Sequence, residues 1–164
     1  MATPLPSTAR AADELTTLRE MLDYYRVVMI RKAEGLTTAQ ASERSTPTGL
    51  TLLTLIRHLT DVERGWFRDF GDADAPFLYC TDDDPDGDLH PGPDDTIEDA
   101  LDAYRGEIVR SNELIAGRSL DEEIPDSGAT VNLRWIMVHM IEETARHAGH
   151  ADILRELTDG AVDD

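Results

Sequence analysis

Four long segments of the sequence carry apolar residues at intervals of three and four, the spacing of one face of an α-helix. The segments are 13–33, 48–70, 96–116 and 132–158. Gly35, Gly71 and Gly160 follow three of them and are suited to end a helix. A further short helix is expected at 38–43, before Pro47. No segment alternates apolar and polar residues over a length that predicts a strand.

The stretch 72–95, between the second and third long segments, is rich in Asp, Pro and Gly and is expected to be a solvated loop. Since no internal repeat or boundary is visible, residues 1–164 are expected to form one domain that is large enough to bury a core. These features predict an all-α fold: a four-helix bundle with a long crossover connection between the second and third long helices.

Composition restricts the partners and the compartment. The formal net charge is −19, from 15 Lys and Arg against 34 Asp and Glu, and such a surface repels nucleic acids and anionic membranes. No apolar run is long enough to span a bilayer, and residues 1–10 lack the apolar centre of a secretory signal. The single cysteine excludes a disulfide framework. We therefore expect a cytoplasmic protein with no nucleic-acid or membrane partner.

The last helical segment concentrates the groups that can bind a metal. His139, Glu143, His147 and His150 fall within an arc of roughly 80° on one helix face, and the pair Glu143 and His147 is spaced to hold one ion. His58, the only histidine of the second long segment, lies among apolar residues and should point inward. Two imidazoles and a carboxylate suit Zn²⁺, with Ni²⁺ or Fe²⁺ as alternatives, and leave one coordination position open. A buried hydrogen-bond network remains the structural alternative.

Other metal sites are disfavoured by their motifs. A ferritin-like di-iron site needs Glu-x-x-His on two helices and a zincin needs His-Glu-x-x-His, and neither motif occurs. Asp82, Asp84, Asp86 and Gly87 match the opening of an EF-hand loop, but its twelfth position would be Pro93 rather than Glu. The acidic loop is therefore interpreted as solvated.

The remaining candidates are interpreted as structural. Cys80 has no histidine partner except His90 in the same loop, so it is taken as an incidental thiol. Trp66, Phe67 and Trp135 are expected in the core rather than in a substrate wall. Three arginines are candidates for binding an anionic ligand, although surface ion pairs are commoner: Arg57, Arg64 and Arg146.

Two motifs resemble a known family. Residues 55–66, Leu-Ile-Arg-His-Leu-Thr-Asp-Val-Glu-Arg-Gly-Trp, are followed by residues 139–155, His-Met-Ile-Glu-Glu-Thr-Ala-Arg-His-Ala-Gly-His-Ala-Asp-Ile-Leu-Arg. Together they resemble the DinB-like superfamily of four-helix-bundle metalloproteins. The nearest branch is the actinobacterial one that is related to mycothiol S-transferases and to the metal-binding domain of mycothiol-dependent maleylpyruvate isomerase.

The resemblance implies a metal set of His58, Glu143 and His147, with His139 and His150 as catalytic groups that shuttle a proton. It also implies a divalent metal, a thiol cosubstrate (mycothiol in this branch), a small-molecule electrophile as partner and pairing as a homodimer. The isomerases carry an additional C-terminal domain, whereas this sequence ends shortly after the last helix. A metal-dependent thiol S-transferase for detoxification is therefore expected rather than an isomerase. A non-catalytic metal-binding or stress-response bundle and a metal-dependent hydrolase remain alternatives.

Overall fold

Helices dominate the part of the chain that the computed structural model describes, residues 3–126 and 128–162. The helices are α1 Glu14–Ala33, α2 Thr38–Ala41, α3 Leu52–Phe67, α4 Ile97–Leu114 and α5 Leu133–Asp159. Short 3₁₀ turns lie at Arg68–Phe70 and Gly87–Leu89, and a two-stranded sheet is formed by β1 Glu123–Asp126 and β2 Ala129–Asn132. The mostly helical architecture agrees with the prediction. No helix in this described part is both long and apolar enough to cross a membrane.

Polar side chains fix where the long helices begin. In each case the cap accepts a hydrogen bond from the backbone N–H three residues later, which satisfies an otherwise unpaired donor; the caps are Asp13, Thr51, Thr96 and Asn132. The second long helix therefore begins at Leu52, four residues later than predicted, because Thr51 and Thr54 form a capping box. α5 ends at Asp159 and is capped by Gly160, whose φ of 77° is readily adopted by glycine.

The prediction of no strand is wrong for residues 123–132. β1 and β2 pair antiparallel, with Glu123 opposite Asn132 and Asp126 opposite Ala129. Each strand has only four residues, and Pro125 interrupts the first, so no alternation long enough to detect is present. The hairpin still has a core-facing side, because Ile124 is buried against helical residues. It thus lies against the helices immediately before α5.

The helices bury two apolar clusters. α1 packs against α5 and α3 against α4, while α3 also contacts α5. One cluster contains Met29, Leu59 and Tyr104, and the other contains Leu22 and Phe67 together with the hairpin. Arg26 on α1 and Glu63 on α3 form a charged pair that lies between these clusters. Both residues are buried. The apolar core is therefore divided by a polar layer.

The loop 72–95 is tied to α3 rather than simply solvated. The buried carboxylate of Asp61 accepts backbone N–H bonds of 2.7, 3.0 and 2.9 Å from three consecutive residues, Leu78, Tyr79 and Cys80. These bonds give the backbone N–H groups acceptors and the carboxylate donors at a place that is partly shielded from water. The sequence-based expectation missed this anchor, because Asp61 reads as one more polar residue of an amphipathic helix.

Arg57 supplies a second anchor for the same loop. Its guanidinium donates to the carbonyl oxygens of Gly87 and Asp88 at 2.7 and 3.1 Å, pairs with Asp95 at 2.7 Å, and lies 4.0 Å from the centre of the Tyr79 ring. Arg57 is thus committed to the loop, and its pairing with Asp95 agrees with the alternative expectation of an ion pair rather than with binding of an anionic ligand. The helix α3 holds the loop in place from two sides.

Replacing Gly87 with alanine should loosen this loop. A Cβ at Gly87 would lie 2.2 Å from the carbonyl oxygen of Tyr79, a backbone atom that cannot swing away. We expect a cost of about 1–3 kcal/mol in the free energy of unfolding, measured by urea denaturation, and faster proteolysis within the loop. Gly92→Ala is the control, since its Cβ would meet only Asp95 at an ordinary 3.6 Å. Equal stability of the two variants would contradict the prediction.

Candidate metal centre

Three side chains from two helices converge on one point. The ligand atoms of His58 on α3 and of Glu143 and His147 on α5 all lie within 4.8 Å of one another. Glu143 Oε1 is 3.4 Å from His58 Nε2 and 3.1 Å from His147 Nε2. Within the residues that the structure describes, this is the only group of three acidic, histidine or cysteine side chains close enough to hold an ion. The predicted residues are therefore brought together.

A buried carboxylate from the loop orients His58. Asp88 Oδ2 lies 2.7 Å from His58 Nδ1, and the Asp88 residue is buried. With a metal bound, a carboxylate in this position would accept the Nδ1 proton, so that the Nε2 lone pair is available to the ion. The sequence analysis missed Asp88, because nothing in the acidic loop distinguishes it from its neighbours.

The local environment favours the protonation states that a metal ligand needs. Burial opposes the ionisation of Glu143, but His147 and the hydrogen bonds from His58 and His147 leave its pKa below the ordinary value. Burial, and then the charge of His58, lower the pKa of His147, although Glu143 acts in the opposite direction. The pair therefore tends toward a carboxylate beside a neutral imidazole at neutral pH.

The donor set fits a small divalent cation. Tetrahedral ligands at about 2.0–2.1 Å from Zn²⁺ lie about 3.3 Å apart, which is close to the 3.1 and 3.4 Å separations between Glu143 Oε1 and the two imidazole nitrogens. Two imidazoles and a carboxylate are also among the donor types that zinc prefers. The residues present could therefore hold the ion.

The other two histidines of α5 occupy different surroundings. His150 is exposed, and its Nδ1 lies 3.4 Å from Nδ1 of His147, so it adjoins the triad. His139 packs against two tryptophans, with its ring centroid 4.8 Å from that of Trp66 and 5.1 Å from that of Trp135. Of the two predicted proton shuttles, His150 is the one whose contacts include a triad residue.

The expectation that all three aromatic residues belong to the core is wrong for Trp135. Phe67 is buried, as predicted, but Trp135 is 50% exposed and Trp66 is half-buried. Trp135 lies at the first turn of α5, beyond the hairpin, where its indole stacks on His139 instead of entering the core. Trp66 and Trp135 also contact each other, with ring centroids 5.4 Å apart.

A cavity of about 480 Å³ opens beside the triad, and this volume lies within the range of small-molecule sites. His58 forms part of its wall, and so does Trp66. The other walls come from α3, from residues 77–89 of the anchored loop and from the hairpin. The loop and the hairpin, neither of which was predicted to be structured, therefore shape the space next to the candidate metal site.

Cys80 also lines this cavity but lacks the character of a nucleophile. Burial, followed by the nearby carboxylates of Asp88 and Asp61, raises the pKa of the Cys80 thiol to about 11. The thiol is therefore protonated at neutral pH, and the thiolate is the reactive form. His90 is hydrogen-bonded to Asp84 at 3.0 Å. These contacts agree with the interpretation of Cys80 as an incidental thiol.

The remaining candidate arginines are engaged with acidic side chains. Arg64 donates to Glu107 at 2.7 Å, and Arg146 pairs with Glu142 and Glu143. No lysine or arginine lines the cavity in the described part of the chain. The expected alternative, ion pairing rather than binding of an anionic ligand, is the one that the structure supports.

Comparison with known proteins identifies the family. No curated protein matches the sequence significantly. The sequence model of the mycothiol-S-transferase family matches residues 17–160, a range that contains all three triad residues, the anchored loop and the hairpin. The chain therefore belongs to the mycothiol-S-transferase family.

Proposed function

We propose that this protein is a metal-dependent transferase that joins a low-molecular-weight thiol, mycothiol, to an electrophilic small molecule. The convergence of His58, Glu143 and His147 beside a cavity is the observation that carries the proposal. Membership of the mycothiol-S-transferase family supports the thiol as cosubstrate. We further infer that the four long helices form the four-helix bundle of the DinB-like superfamily, with the loop 72–95 as its long crossover.

His58, Glu143 and His147 would hold the metal, with Zn²⁺ as the expected ion. A divalent cation bound there would supply Lewis-acid chemistry that lowers the pKa of a thiol, so that the thiolate would be present at neutral pH. The protein contributes the orientation: Asp88 fixes the His58 ring, and burial together with His58 keeps His147 toward its neutral form.

His150 is the group best placed to take up the proton that the thiol loses. Its exposed ring adjoins His147, with the two Nδ1 atoms 3.4 Å apart, so a neutral His150 could accept a proton at its unprotonated nitrogen and pass it to solvent. The sulfur then donates an electron pair to the electrophilic carbon, and a C–S bond forms while the leaving group departs with the electrons of its own bond. His139 packs against Trp66, which lines the cavity, and is assigned to holding that indole in place rather than to proton transfer.

A conjugation assay tests the proposal. The purified protein would be incubated with monobromobimane and with mycothiol, bacillithiol or glutathione, and the thioether product followed by fluorescence. We expect turnover with mycothiol that is lost after metal removal and restored by Zn²⁺. Absence of turnover with all three thiols in metal-loaded protein would refute the transferase function, and equal turnover after metal removal would refute its metal dependence.

Replacing Asp88 with asparagine should weaken metal binding without removing a ligand. The amide can no longer accept the Nδ1 proton of His58 as a charged partner, and the loss of such an orienting group typically lowers metal affinity by about 10–100-fold. Competition against a chromophoric chelator measures the affinity. Asp86→Asn is the control, because this exposed neighbour also lines the cavity, whereas the hydrogen bonds of His58 go to Asp88 and Glu143. Unchanged affinity in Asp88→Asn would contradict the role given to Asp88.

Acidification should release the metal. Protons compete with the ion for the imidazole nitrogens, and the pKa of His147 in the metal-free protein lies below the ordinary 6.5. Its contribution to affinity is therefore complete at neutral pH and is lost only as the pH falls through that lowered pKa. Calorimetric titration with Zn²⁺ between pH 8 and about pH 5 measures the effect. An affinity that stays constant down to pH 5 would argue against imidazole ligation.

A further inference from the structure

We propose that the cavity beside His58 is the site of the electrophile, and that it selects an uncharged or cationic aromatic compound over an anionic one. The inference deepens the proposed function and rests on it for the reaction itself. It is carried by the chemistry of the cavity walls, which none of the comparisons describes. Three features point to this class of substrate: the apolar wall, the charges around it and its position relative to the triad.

Large apolar side chains from three elements face the cavity. Trp66 comes from α3, Phe77 and Leu89 come from the anchored loop, and Ile124 and Val131 come from the hairpin. Phe77 and Leu89 remain 37% and 42% exposed. The contact of such apolar side chains with water is unfavourable in the free protein, and a cavity lined by them is typical of a ligand site.

The position of the Phe77 ring is closely fixed. A Cβ at Gly65 would lie 3.1 Å from Phe77 Cε1, so glycine at this point of α3 lets the ring approach the helix backbone. The guanidinium of Arg68 lies 4.4 Å from the centre of the same ring and donates to the carbonyl of Ala75. Phe77 and Trp66 thus offer rigid aromatic surfaces to a planar ligand.

The charges in the cavity wall are negative. The side chains of Asp61 and Asp88 are hydrogen-bonded to the loop backbone and to His58. Asp69, Asp86 and Asp126 also line the cavity, and their side chains form no hydrogen bond or ion pair with the residues that the structure describes. No lysine or arginine lines it within the described residues. An anionic ligand would be placed against like charge, on a protein whose net charge is already −19, and such contacts are repulsive.

The apolar wall suits the electrophile better than the thiol. Mycothiol carries many hydroxyl groups, and burying them against carbon without hydrogen-bond partners would be unfavourable. An aromatic electrophile loses nothing comparable and gains stacking contacts with Trp66 and Phe77. Because His58 belongs to the same wall, a ligand in the cavity lies next to the point where the sulfur would be held.

Binding to metal-free protein tests the selectivity apart from catalysis. The chain has two tryptophans, so Trp135→Phe leaves Trp66 as the sole reporter in the cavity. The probes are 1-chloro-2,4-dinitrobenzene, which is uncharged, and 4-chloro-3,5-dinitrobenzoate, its anionic analogue; both quench indole fluorescence. We expect the uncharged probe to quench Trp66 at saturable concentrations and the anionic probe to bind about tenfold more weakly or worse.

A charge-reversal variant distinguishes the effect of charge at the cavity from the effect of the net charge of the protein. In the Trp135→Phe background, Asp69→Lys should strengthen binding of the anionic probe several-fold, because the cation now faces the cavity. Glu113→Lys is the matched control: it changes the net charge equally, on exposed α4 surface that does not line the cavity. Equal binding of the two probes, absence of saturable quenching, or equal gains in both lysine variants would overturn the inference.

The two proposals can fail separately. If the cavity binds the uncharged probe selectively but no thiol is conjugated, the electrophile site stands as a binding site and the transferase function falls. If conjugation with mycothiol proceeds but the two probes bind with equal affinity, the transferase function stands and the charge selectivity falls. The binding assay needs neither metal nor thiol, so its result does not depend on turnover.

Discussion

Replacing His147 with alanine should empty the metal site and lower the rate of conjugation by more than about 100-fold, beyond the usual effect of losing a merely orienting group. His147 is one of only three donors that converge in the described residues, and its Nε2 lies 3.1 Å from Glu143 Oε1. Two remaining protein ligands are too few for a stable zinc site, which is commonly built from at least three. Elemental analysis of the purified variant gives the metal content per chain.

A second histidine on the same helix provides the control for this experiment. His139→Ala removes an imidazole from α5 but leaves the triad intact, since His139 contacts Trp66 and Trp135. It should keep the full metal content. The site assignment would be overturned if His147→Ala retained its metal, or if both variants lost it to the same degree.

The ligand triad could be predicted from the sequence for two reasons. Two of its residues are close together on one helix, and histidine, the third, is rare in this chain. Glu143 and His147 are four apart on one helix, and helical geometry alone places them together. His58 is the sole histidine of its helix and lies on an inward face. Asp88 could not be predicted, because its contact with His58 spans 30 residues of chain and depends on how the loop is anchored.

The difference between local patterns and contacts that are distant in the sequence also explains which parts of the fold could be predicted. The long helices follow from apolar periodicity and from local caps, so their existence was predicted and their ends were displaced by only a few residues. The hairpin of residues 123–132 was missed, because its pairing is set by contacts with the helices rather than by a strand-like pattern. The anchored loop was missed for a similar reason: the side chains that hold it, Arg57 and Asp61, lie on α3. The cavity depends on both missed elements.

The buried ion pair in the core presents the largest expected effect on stability. Arg26 and Glu63 are 2% and 0% exposed, and two parallel bonds of 2.7 Å join the guanidinium to the carboxylate. Asp23 and Asn112 accept further bonds from Arg26 at 2.8 and 3.0 Å. Burial opposes the charge of Arg26, but Glu63 keeps its pKa above the ordinary value. The arginine therefore stays charged and depends on its partner.

Glu63→Gln should consequently destabilise the protein by about 3–5 kcal/mol, the usual cost of leaving one member of a buried pair uncompensated. In a chain of this size that lowers the thermal midpoint by on the order of 10 °C, measurable by calorimetry. Glu14→Gln makes the same chemical change in an exposed pair with Arg134 and should have little effect. The double variant Arg26→Met, Glu63→Met removes both charges and should recover most of the loss, since apolar replacement of a whole buried pair is often neutral. If the double variant is less stable than Glu63→Gln, the ion pair contributes net stability to the core, and the cost of the single substitution does not come from a stranded charge.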